Sequence, residues 1–454
     1  MQPQADRAAA RSWGWIDRVV GRIRPDRSPV VALVLLLILA GPVVAYCVGG
    51  VPHVGRVGLA GADVASYHLV VNRLLAGVMP YSATFHGRTP FIYPPGIFAF
   101  IVPPIIAGGH YTLAFAAEML ALILLGAAWL ARVGRSVYGE HAGIGWATLA
   151  LLAAAGPVTL LRPDPAIGIL LAGSVLAWQR RHRSLAFVLI ALAGLIKDYG
   201  WVALIPMLAL QLGEANGMAR TFASRIGRVL GSAVPAIVLV VVVGVIFAVW
   251  SHGDLIHSQL LNGARGVELE SLAAGLLLAL TQGRTVVVFR GQLGNMLLGG
   301  PDLHLSLAVI LFVCVGALAT GLVAWRAYRQ QVSAGVAVAA VVAAALVATP
   351  VLSPQYLDAL LPCLVLAAAE LGYPQGGRLL CLGLAIALVT QLEFPYLWLS
   401  AVALHPYALA VLELRNLLLV VCLVVLVGWH RSAPALRRVT GDPDFRADTD
   451  LARR

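Results

Sequence analysis

The chain has 454 residues, of which 60% are hydrophobic and 12% charged, and its net charge is +11. Soluble domains devote about 25% of their residues to charge. A water-solvated globule is therefore excluded, and a mean hydropathy of +0.87 places the chain among membrane proteins. One lysine, Lys197, stands against thirty-one arginines. Most of these arginines fall in tails and short loops, so the basic excess speaks of membrane orientation and not of nucleic acid.

A spanning helix needs about 20 apolar residues. In chain order the clear candidates are Pro29–Gly49, Tyr111–Arg132, Ala142–Leu161, Val229–Trp250, Leu303–Trp325, Leu379–Leu392 and Ala408–Trp429. Shorter ones are Pro165–Gln179, Leu185–Lys197, Trp201–Leu212, Gly335–Thr349 and Tyr356–Leu371. Short helices can pack around a water-filled cavity, where irregular backbone is tolerated. The first run follows Arg7, Arg11, Arg18, Arg22, Arg24 and Arg27 with no small-x-small cleavage site after it, so it reads as a retained helix and not a signal peptide. Cys47, Cys314, Cys363, Cys381 and Cys422 lie in apolar stretches without a CxxC pair. They read as small hydrophobes, with no disulfide framework and no metal cluster.

The arginines set the orientation. The tail of residues 1–28, Arg132/Arg135, Arg180/Arg181/Arg183, Arg220/Arg225/Arg228, Arg326/Arg329, Arg378 and the tail of residues 431–454 belong in the cytoplasm. The expectation is an all-α polytopic unit over residues 29–430 with about eleven to thirteen spanning helices and both termini inside. The count depends on whether Phe91–Ala107, broken by Pro94, Pro95, Pro103 and Pro104, crosses or stays in the outer leaflet. The outer segments are then Gly50–Pro90, Ser251–Asp302 and Glu393–Pro406, with tight turns at Arg162–Asp164, Lys197–Gly200 and Ser353–Gln355.

Arg56, Arg73, Arg88, Arg162, Arg265, Arg284 and Arg290 break the positive-inside pattern by falling on this outer side. A planar fork of donors suits a phosphate, so together they favour an anionic ligand over head-group snorkelling. Asp63, Asp164, Asp198, Asp254, Glu268, Glu270, Asp302 and Glu393 share that side. Asp63 opens a helix-like stretch, Val64–Ala76, and is the leading candidate for a general base; an N-cap role is compatible with it. Asp164 followed by Pro165 is also a capping pattern.

The stretch Gly61-Ala62-Asp63, Tyr67, Gly77-Val78-Met79-Pro80-Tyr81 and Tyr93-Pro94-Pro95-Gly96 resembles the first outer loop of GT-C membrane glycosyltransferases, most closely glycosyltransferase family 87, which uses polyprenyl-phosphate mannose. Three later segments agree in order. Leu195-Ile196-Lys197-Asp198-Tyr199-Gly200 is similar to that family's lysine-tyrosine hairpin, with Gly200 where proline is usual. Arg265 to Ser271 resembles an arginine–glutamate–serine outer segment, and Ser353-Pro354-Gln355-Tyr356 matches a turn before a late helix. Arg162-Pro163-Asp164-Pro165 departs from the pattern of many relatives, which have an Asn and a Gly-Gln pair there. The resemblance runs from about Pro29 to Leu371.

The resemblance implies inverting transfer of a sugar, with mannose the first expectation, from a polyprenyl phosphate to a glycolipid or glycan hydroxyl outside the plasma membrane. It implies Asp63 as base. Arg162, Lys197 and Arg265 would face the phosphate, whose charge grows as it leaves, and Tyr93, Gln355 and Tyr356 would donate hydrogen bonds. Asp164 borders the site, and Glu270 would hold sugar hydroxyls or orient an arginine. His68 and His257 are possible contacts. No cofactor or metal is expected. The rivals are a secondary transporter, disfavoured because no repeated halves are visible, and other GT-C activities such as arabinosyl or protein O-mannosyl transfer.

Overall fold

The computed structural model describes residues 62–82, 91–139, 143–218, 221–263, 266–281, 286–290, 296–299 and 302–429, with scattered positions between 34 and 45. Both tails, most of Pro29–Gly49, much of Gly50–Pro90, and Arg265 lie outside the described residues.

The chain is a helical membrane protein. Every other candidate span lands on a helix: Tyr111–Tyr138, Ile144–Ala155, Asp164–Gln179, Arg183–Ile196, Leu204–Met218, Phe222–Trp250, Asp302–Tyr328, Ala334–Ala348, Leu357–Leu371, Gln375–Gln391 and Pro406–Gly428. Local chemistry sets the ends. Thr221 and Ser224 form a reciprocal capping box at the start of Phe222–Trp250. Pro406 stands in the first turn of the last helix, where its missing N–H costs nothing.

Burial sorts the helices into two shells. In the apolar windows of Ile226–Trp250 and Ser306–Tyr328 only 11% and 17% of residues are buried, against 78% for Pro354–Leu371. The first two present their sides to lipid. Asp164–Gln179, Ala334–Ala348 and Leu357–Leu371 are apolar and buried almost all round, as central helices must be.

One end of this bundle is tied together by Glu370. It accepts from Tyr138 Oη (3.2 Å), Gln179 Nε2 (2.6 Å) and the amides of Gly335 (2.8 Å) and Val336 (3.1 Å). The central helices have 14–16 residues, roughly 21–24 Å of rise, short of the ~30 Å hydrocarbon core.

Three local features add detail to this all-α fold. One short hairpin interrupts the helices: β1, Val287–Arg290, pairs antiparallel with β2, Met296–Gly299, with Val287 opposite Gly299. Phe91–Ala107 forms only short pieces, Pro95–Ile97, Phe98–Ile101 and the start of Pro103–His110, because its prolines interrupt the amide ladder. Glu393–Pro406 is not an open loop: the chain kinks at Phe394, helical backbone resumes over Trp398–Val402, and Glu393 is fully buried.

Candidate active site

Three separate segments meet in ion pairs at the end opposite Glu370. Asp63 stands in the first turn of the Ala62–Leu75 helix, and its Oδ2 lies 3.0 Å from Arg162 Nη2. Arg162 sits in the short turn between Pro157–Leu160 and Asp164–Gln179, and its Nη1 also donates to the Leu161 carbonyl at 2.8 Å. Lys197 leaves the Arg183–Ile196 helix in extended backbone, and its Nζ donates to both Asp164 oxygens at 2.9 and 2.8 Å. Tyr199 Oη adds a third donor to Asp164 at 2.6 Å. Neither acid caps its helix as the sequence suggested. Both lie inside the first turn, and their carboxylates turn sideways to cations.

Burial makes these pairs consequential. Asp164 is wholly buried, and Lys197 and Arg162 are each 4% exposed. Removal from water lowers the Lys197 pKa despite the Asp164 carboxylate beside it. For Arg162 burial acts in the same direction, but Asp63, followed by Tyr67 and Tyr93, outweighs it and holds the guanidinium above its usual value. Desolvation pushes the Tyr67 phenol well up, helped by Tyr93 and Asp63. Its buried hydroxyl has no hydrogen-bond partner among the described residues. The side chain of Asp63 is 39% exposed, so among the acids of these pairs it is the one that reaches solvent.

A cavity of about 230 Å³ opens beside Lys197. Its polar lining includes Lys197, Asp198, Tyr199 and Thr349, and its apolar lining includes Ala345, Leu346 and Val351. Lys197 Nζ lies 5.3 Å from the Tyr93 ring and 4.8 Å from the Tyr356 ring, both within cation–π range. An ammonium has three N–H donors, and both Asp164 oxygens lie within bonding distance of this one. Asp63 and Arg162 do not line this cavity. Tyr93 stands between, meeting Tyr67 edge-on at 6.0 Å.

The structure thus gathers Asp63, Tyr93, Arg162, Asp164, Lys197 and Tyr356 into one region, with Gln355 buried in the adjoining turn. It separates others. The Glu270 carboxylate approaches Arg415 Nη1 at 3.9 Å instead, because residues 266–271 fold onto the last helix. His257 is exposed on the Asp254–Gly263 helix, whose Ser258 and Gln259 bond the Phe91 and Ile92 carbonyls. His68 stacks on Tyr111 at 4.4 Å, away from the ion pairs.

Sequence reasoning passed over two groups. Asp358 is fully buried and accepts from Thr159 Oγ1 at 3.2 Å. Arg415, also fully buried, gathers Glu393, Glu270 and Asn416. The signal for the second was Glu413, Arg415 and Asn416 inside an apolar helix, where ionisable groups are expensive.

No protein-family model matches the chain, and no curated protein matches it.

Proposed function

We propose that the chain is an integral-membrane glycosyltransferase of the GT-C kind. It moves one sugar, with mannose the first candidate, from a polyprenyl phosphate to a glycolipid or glycan hydroxyl on the extracytoplasmic face of the plasma membrane. The observation that carries this reading is a buried lysine lining a cavity whose walls mix polar and apolar side chains. That combination suits an amphiphile with an anionic head and a hydrocarbon tail. The distribution of arginine supports the orientation. Arg135, Arg180, Arg181, Arg183, Arg326 and Arg329 lie on helix ends and turn residues at the Glu370 end, and the candidate site is at the other.

In the proposed step Asp63 takes the acceptor hydroxyl's proton as that oxygen attacks the anomeric carbon. The bond from that carbon to phosphate oxygen breaks, and its electron pair stays on the phosphate. The phosphate gains one negative charge, which the Lys197 ammonium and the tyrosine hydroxyls meet. Attack opposite the leaving group inverts the anomeric centre. Arg162 holds Asp63 in place through their ion pair.

Asp198 is the second reading for the base, because it lines the cavity and is exposed while Asp63 stands beyond Tyr93. Purified Asp63→Asn, Asp63→Ala and Asp198→Asn proteins, assayed with a polyprenyl-phosphate mannose donor, separate the two. Loss in both Asp63 variants with turnover kept in Asp198→Asn supports Asp63. The reverse moves the role to Asp198. Wild-type protein that transfers no sugar from any polyprenyl-phosphate donor would sink the proposal.

A further inference from the structure

A second buried polar cluster lies within the Pro406–Gly428 helix, roughly 13 Å of rise from its first residue. Arg415 Nη1 stands 3.2 Å from Glu393 Oε2 and 3.9 Å from Glu270 Oε1. Its Nη2 donates to the main-chain carbonyl of Glu270. Nε and Nη2 reach Asn416 Oδ1 at 3.3 and 3.0 Å. Buried ion clusters add little net stability over apolar packing, so stability alone does not account for this one.

The cluster is linked to the cavity by a short path of bonds. Two residues before Glu270, the Glu268 amide donates to the Pro350 carbonyl at 2.9 Å. The Glu268 carboxylate accepts from Ser353 Oγ at 3.1 Å. Pro350, Val351 and Tyr356, which flank Ser353, line the cavity. The 266–271 segment is therefore held on one side by Arg415 and on the other holds the cavity wall.

We propose that Arg415 is a positioning residue: by gripping the Glu270 carbonyl and the Glu393 carboxylate it fixes the 266–271 segment and, through Glu268, the Pro350–Tyr356 wall of the cavity. Its catalytic consequence rests on the glycosyltransferase reading, but the mechanical link does not. Guanidinium geometry is required, since a lysine in its place supplies charge without the fork that spans a carbonyl, a carboxylate and an amide oxygen.

The test uses the full-length protein in lipid nanodiscs carrying Val351→Cys, with thiol-labelling rate measured over the parent that lacks it. Arg415→Met and Ser353→Ala, which cuts the path at its other end, are each expected to speed labelling roughly tenfold by loosening the wall. Arg415→Lys is expected to fall between them and the parent. Unchanged labelling in Ser353→Ala and Arg415→Lys overturns the proposal, and these two variants suffice where Arg415→Met does not fold. Sugar transfer is measured in parallel, where a positioning role raises donor KM more than it lowers kcat. Wild-type protein without transfer, but with labelling that responds, removes the glycosyltransferase reading and keeps the link. Wild-type transfer with labelling and KM unmoved by the variants removes the link and keeps the glycosyltransferase reading.

Discussion

Arg162 Nη2 meets Asp63 Oδ2 at 3.0 Å, joining the Ala62–Leu75 helix to the turn that begins a central helix. The pair is asymmetric, with side-chain exposures of 5% for Arg162 and 39% for Asp63. Loss of Asp63 strands a buried guanidinium. Breaking a fully buried pair costs about 3–5 kcal/mol; solvent reaching Asp63 reduces this to about 1–2 kcal/mol. Asp63→Ala is therefore expected to lower the thermal midpoint clearly. Asp63→Asn, which keeps an oxygen facing Arg162, is expected to lower it less. Both are expected to lose transfer by orders of magnitude, since an amide cannot serve as a base. Thermal denaturation and turnover, measured on the same preparations, check that stability and activity part company in the asparagine variant.

The Lys197–Asp164 pair is closed to solvent on both sides. Lys197→Met leaves Asp164 with only the Tyr199 hydroxyl among its present donors, a loss of about 3–5 kcal/mol. Replacing both, as Lys197→Met with Asp164→Leu, removes the stranded charge and is expected to recover most of that stability without any activity. Denaturation midpoints of the two single variants and the double variant close the cycle. A double variant no more stable than Lys197→Met would show that the pair does not behave as a buried unit.

Lys197 also sets a pH limit. Its pKa is lowered chiefly by burial, so it loses its proton at a lower pH than an ordinary lysine. If its ammonium meets the leaving phosphate, activity falls on the alkaline side below the range of a solvent-exposed lysine. Lys197→Arg keeps its charge far higher, and the alkaline limb of its residual activity is expected to move upward. Rate profiles of the two proteins decide this. Coinciding limbs would remove Lys197 as the titrating group.

Much of this site was legible because its residues are of the wrong type for their place. Asp63, Arg162 and Lys197 are charges in short segments between apolar runs, and the helices around them announce themselves by length and composition. What was illegible depends on pairing. Glu270 was read toward the donor because nothing local reveals that residues 266–271 turn onto the last helix. Glu393 was read as an outer-segment acid because the apolar run ends at Leu392, yet helical backbone resumes at Trp398. The β1–β2 hairpin follows the Leu272–Thr281 helix, and short apolar runs do not distinguish strand from helix by period alone.

Gly200 gives the last prediction, and it bears on why this chain has glycine where the resemblance leads one to expect proline. A Cβ at Gly200 would lie 2.5 Å from the Ala193 carbonyl carbon and 2.6 Å from the Gly194 nitrogen. Both are backbone atoms of the Arg183–Ile196 helix and cannot rotate aside. The Asp198–Ala203 turn lies flat on that helix because position 200 has no side chain, and this close approach holds Tyr199 within reach of Asp164. Gly200→Ala must lift the turn, at a cost of about 1–3 kcal/mol for overpacking, and is expected to weaken donor binding by displacing Tyr199. Gly227 is the comparison, since a methyl group added there, on the lipid-facing Phe222–Trp250 helix, would meet nothing within 4 Å. Gly227→Ala is expected to leave stability unchanged or raise it by up to about 1 kcal/mol. Equal effects of the two substitutions would mean that contact with the Ala193–Gly194 backbone does not set the position of the turn.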